Sequence, residues 1–89
     1  RFNPEVRVVI VDMSAVPLLD MTALAALDNV LRDYRQHDIG LVLVGVAPRL
    51  RLKLRRAGVH RENGRLAYMR DLPQARTKAL RWLEQAVNP

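Results

Sequence analysis

Two short apolar runs, Val8 to Val11 and Leu41 to Val46, constrain this chain more than any other feature. Each is strand-sized, and neither alternates with polar residues. A strand that is apolar on consecutive positions is one covered on both faces, the signature of a parallel strand in an α/β sheet. The first strand is expected over Val6 to Met13, with both faces of Val8 to Val11 buried. The second is expected over Leu41 to Val46.

The segment between them has helical spacing. Leu24, Leu27, Leu31 and Tyr34 form one apolar stripe, while Asp28, Asn29, Arg32, Asp33 and Arg35 fall largely on other faces. Asp20 is a good N-cap, so the helix is expected from Asp20 to Gln36. Pro17 holds the preceding loop out of helix, and Asp38 or Gly40 is suited to the left-handed residue that ends it. Strand, helix and strand within about 40 residues make a βαβ unit with a right-handed crossover.

Arg49 to Ala57 reads two ways, since Leu50, Leu52 and Leu54 alternate while Leu50, Leu54 and Ala57 share a helical face. A helix is preferred, opened by Pro48 and stopped at Ala57-Gly58. Asn63-Gly64 signals a turn, and Leu66 to Met69 a short third strand. Asp71 caps a last helix whose buried face is expected from Ala79, Leu80, Leu83 and Val87. The fold class is therefore α/β, ordered β-α-β-α-β-α, with a mainly parallel sheet and one domain over residues 1–89. A doubly apolar first strand needs neighbours on both edges or a cover on one, so a strand from upstream of Arg1 or from another chain is expected beside it. The fragment is accordingly expected to form homo-oligomers.

Composition narrows the chemistry. There is no cysteine, which removes disulfides, zinc–thiolate sites and thiol catalysis. His37 and His60 lack metal-ligand spacing, and Ser14 has no nearby His in the sequence to act as its base. The glycines match no phosphate-binding loop. No enzyme activity, metal or cofactor is expected. No run approaches the roughly 20 residues of a membrane span. Fifteen Lys and Arg against nine Asp and Glu leave a net charge of +6, which suits an acidic protein, anionic lipid or nucleic acid. With few aromatic residues and no DNA-reading motif, nucleic acid is not expected. Arg49, Lys53 and Arg56 form one basic helical ridge, either a solvated face or a contact for anionic lipid headgroups or an acidic partner.

The run VVIVDMSAVPLLDMTALAAL carries a specific resemblance. A buried strand ending in Asp12-x-Ser14, followed by Val16-Pro17-x-x-Asp20-x-Thr22 and then Leu24, resembles the signature of the STAS domain. The second strand, the following Pro48…Ala57-Gly58-Val59 and the final strand and helix also fit, so the similarity runs from Val6 to about Val87. STAS domains occur at the C-terminus of SulP-type sulfate and anion transporters and as anti-sigma factor antagonists, and the Val-Pro spelling is closer to the transporter branch. The resemblance implies a non-catalytic regulatory domain on the cytoplasmic side of the inner (plasma) membrane, part of an integral membrane transporter and lacking here its N-terminal strands. It would bind a cytosolic protein, or its own transmembrane domain, through Ser14, Asp20, Met21, Thr22 and Ala23. In the soluble antagonists the hydroxyl residue at the position of Thr22 accepts a phosphate from a partner kinase, which switches binding off. The plainer reading is that Asp20 and Thr22 only cap the helix. The family usually has Gly where this chain has Ala23, which makes close backbone approach by a partner harder.

Overall fold

The computed structural model describes residues 7–87, with the side chain of Val87 excepted. The elements follow the expected order: β1 (Arg7–Asp12), α1 (Met21–Gln36), β2 (Ile39–Val44), α2 (Pro48–Arg56), β3 (Leu66–Met69) and α3 (Leu72–Val87). The expected start of the first strand at Val6, the side chain of Val87 and any upstream strand lie outside the described residues.

All three strands are parallel, in the order β1-β2-β3, with Val9 beside Leu41, Val11 beside Leu43 and Leu43 beside Tyr68. The chain advances across the sheet in one direction, and α1 and α2 pack on the same face, as two crossovers of one hand require. That face buries Leu41, Leu43 and Leu66 against Leu50 and Leu54 of α2, with Leu24, Leu27, Leu31 and Tyr34 of α1 around them. α3 covers the other face, where Val42, Val44 and Ala67 meet Ala75 and Trp82.

Three local expectations are corrected. The first strand is covered on both faces, with Val9 against one core and Val8 and Ile10 against the other, but it is not fully buried: these three are half-buried and Val11 is 39% exposed. Among the described residues β1 pairs only with β2, so it is an edge strand. The second strand lies two residues earlier than its apolar run, because Gly45 turns to φ +68° and leaves the sheet. In α3 the seam is Ala75, Ala79 and Trp82, with Leu80 exposed and Leu83 half-buried. Two alanines bring the helix close to the sheet, and the indole fills the space one turn on. A Cβ on Gly40 would lie 2.9 Å from both the Trp82 ring and the carbonyl of Gly64, so only glycine fits under the indole. The indole N–H has no acceptor among the described residues.

The helix ends behave as their residues dictate. Asp20 and Asp71 cap α1 and α3, each accepting from the backbone N–H three residues on. Asp38, at φ 55°, supplies the left-handed residue after α1. The ambiguous third apolar segment is helical, since Leu50 and Leu54 are fully buried and Leu52 is 47% exposed.

Candidate functional site

The expected site residues gather where β1 ends and α1 begins. Asp12 closes β1 and turns its carboxylate onto Ser14, accepting from the backbone N–H at 2.9 Å and from the hydroxyl at 2.6 Å. These bonds hold the Asp12 carboxyl below its usual range, against a smaller opposing effect of desolvation. Met13 is buried and bonded through its N–H to Val44, which anchors the loop to the sheet. A Cβ on Gly45 would come within 3.0 Å of Ser14 Cβ, so the loop after β1 rests on the loop after β2.

The second half of the loop is fixed from α2. Lys53 is partly buried, and its ammonium donates to the carbonyl of Leu19 at 2.7 Å. One residue later Asp20 accepts from Ala23 N–H at 2.8 Å and caps α1. Thr22 takes no part in that cap; it is exposed in the first turn, where Asp20 at the cap supplies the acidic side chain facing the positive end of the helix dipole. Leu18 in the loop and Met21 at the first position of α1 are 55% and 76% exposed, the two most exposed large apolar side chains among the described residues. Ala23 is half-buried behind them.

The five expected residues therefore fall into two groups. Ser14 is bound to Asp12, and Asp20, Met21, Thr22 and Ala23 open α1; no hydrogen bond joins the two groups. Both aspartates satisfy backbone N–H groups of their own loops, and for Asp20 this is the capping role of the plainer reading. Of the basic ridge, Arg49 and Arg56 are exposed, whereas the Lys53 ammonium points into the loop before α1. Three further features carry no local sequence signal: the Lys53–Leu19 tie, the exposure of Leu18 and Met21, and the seating of the Arg51 guanidinium over the Tyr68 ring at 4.7 Å. The close approach of Gly45 to Ser14 is the exception, because an isolated glycine in a strand pattern marks such places. Among the described residues no cluster of three His, Asp or Glu side chains is placed to hold a metal. No described helix is long and apolar enough to cross a membrane.

The STAS domain family profile matches residues 2–75, most of the chain. The chain belongs to the STAS family. The match spans β1 through the first turn of α3, and the alternating β-α-β-α-β-α order over a parallel sheet is consistent with a STAS domain. No curated protein and no solved structure matches the chain closely enough to be compared with it. STAS domains are generally non-enzymatic regulatory and binding domains.

Proposed function

We propose that this STAS domain is the regulatory domain of a SulP-type sulfate or anion transporter. It acts on the cytoplasmic side of the inner (plasma) membrane by binding its own transmembrane domain or a cytosolic protein through the start of α1. The observation that carries this reading is the pairing of exposure with rigidity. Leu18 and Met21 offer apolar area to a partner, while the Asp20 cap, the Lys53–Leu19 bond and the buried Met13 hold the backbone beneath them. A surface organised before binding loses little entropy when it docks. A photocrosslinker placed at Met21 in the whole protein is expected to capture that partner in cells. Leu18→Glu with Met21→Glu is expected to abolish the adduct and change anion uptake, with Arg76→Ala as an inert control. Unchanged uptake together with no adduct rules the reading out.

A second reading has one observation in its favour. Thr22 is exposed and left out of the cap, so its hydroxyl is open to a kinase, and a phosphate there adds roughly −1.5 to −2 charges at the positive end of α1. On that reading the protein is a soluble anti-sigma factor antagonist switched at Thr22. Phosphopeptide mapping from cells separates the two: a stoichiometric phosphate on Thr22 that comes and goes with growth state favours the antagonist. Apolar membrane spans encoded upstream of Arg1 favour the transporter.

A further inference from the structure

A second concentration of charge lies away from the start of α1, beside the edge strand β3. Arg51, Arg55, His60, Arg61 and Tyr68 line one cavity of about 360 Å³, and no carboxylate is among them. Elsewhere several arginines have acidic partners: Arg32 with Asp28, Arg35 with Glu62 and Arg65 with Asp38. Arg51, Arg55 and Arg61 have no such partner among the described residues. Three guanidiniums around one hollow repel one another, and an anion in their midst relieves that repulsion.

The hollow also has fixed walls. The Tyr68 hydroxyl donates to the Val59 carbonyl at 2.7 Å, which locks the ring, and the ring in turn carries the Arg51 guanidinium on its face at 4.7 Å. A guanidinium held flat in this way presents its forked N–H groups in a geometry suited to phosphate. A neighbouring hollow shares Arg51 and Tyr68 as lining and adds Arg70 and Gln74 beside Pro48 and Met69.

We propose that this cavity is an oxyanion site, with Arg51, Arg55 and Arg61 holding the phosphate of a phosphomonoester. The ester is either a soluble metabolite or the headgroup of a phosphorylated lipid. The test titrates the chain with inorganic phosphate at constant ionic strength and follows amide and arginine side-chain NMR signals. Saturable shifts at Arg51, Arg55, Arg61 and Tyr68 are expected. Arg55→Ala with Arg61→Ala is expected to weaken binding by about tenfold or more, and Arg49→Ala with Arg56→Ala, which removes the same charge elsewhere on α2, by less than about twofold. All four residues are exposed, so both variants fold. Shifts that never saturate, or equal weakening by the two pairs, overturn the proposal. A second arm compares phosphatidylcholine vesicles doped with phosphatidylinositol bisphosphate against vesicles of equal charge made with phosphatidylserine. Preference for the phosphorylated headgroup that is lost in Arg55→Ala/Arg61→Ala assigns the site to lipid; saturable phosphate binding with no such preference assigns it to a soluble ester.

Discussion

β1 and β2 lie side by side in register, with similar apolar spelling, yet their surroundings differ steeply. Leu41, Val42, Leu43 and Val44 are between 0% and 3% exposed. Their neighbours Val9 and Ile10 are half-buried, and Val11, beside Leu43, is 39% exposed. Composition does not separate the strands; position in the sheet does. β2 has a strand on each edge and helices on both faces, whereas β1 has a strand on one edge among the described residues. An apolar strand at an edge is adapted to a further neighbour, and exposed edges recruit other chains.

The largest contrast should appear at the register pair. Leu43→Ala is expected to cost about 2–5 kcal/mol, because a fully buried side chain leaves a cavity behind. Val11→Ala beside it is expected to cost less than about 1 kcal/mol, in proportion to the area it buries. Urea denaturation measures both; equal costs would mean that β1 is as enclosed as β2. The opposite face supplies the next test. Gly40→Ala is expected to cost about 1–3 kcal/mol, since its Cβ meets the Trp82 ring at 2.9 Å, with a red-shifted or broadened tryptophan emission as its mark.

A third experiment addresses the edge itself. The chain is expected to self-associate through β1, and Val11→Lys to return it to monomer while changing stability by no more than about 0.5 kcal/mol. Sedimentation velocity reads the result, and a wild-type chain that stays monomeric at high concentration refutes the edge contact.

The smallest effects are in pH. Burial raises the Tyr68 phenol above its ordinary 10.0 despite the nearby Arg51 and Arg55 charges. Folding therefore favours the neutral phenol: its contribution is complete below pH 10 and is lost as pH rises through the raised value. Tyr68→Phe should flatten that alkaline limb while costing about 0.5–1.5 kcal/mol at neutral pH for the lost bond to Val59. At the end of β1 the sign is reversed. Asp12 is held below its ordinary 3.8, so its contribution is present above that value and lost as pH falls through the lowered one. Ser14→Ala should move the Asp12 carboxyl back up in an NMR titration.

Local features were legible wherever the physics is local. Asp20 and Asp71 cap, Asp38 and Gly58 take positive φ, and Leu50 and Leu54 share a buried helical face, all within a few residues of the signals that announce them. The start of α1 was legible as a place, since a strand end, a proline-held loop and a cap must meet there. Its division into an Asp12–Ser14 pair and a separate helix opening was not, because that depends on which backbone groups each carboxylate reaches. Leu80 was misjudged because helical periodicity permits either neighbouring stripe; the fit of Trp82 over Gly40, more than forty residues away in the chain, selected one of them.

The sequence by itself thus determined the order of elements, their caps and stops, and the STAS family, because these depend on neighbours along the chain. Only the tertiary structure decided that β2 and not β1 is the enclosed strand, that Lys53 reaches Leu19, and that Arg51, Arg55 and Arg61 share a hollow beside Tyr68. Strand order and the meeting of distant charges are set by pairing across the sheet, and apolar spelling, which reports only that a residue avoids water, does not encode the partner.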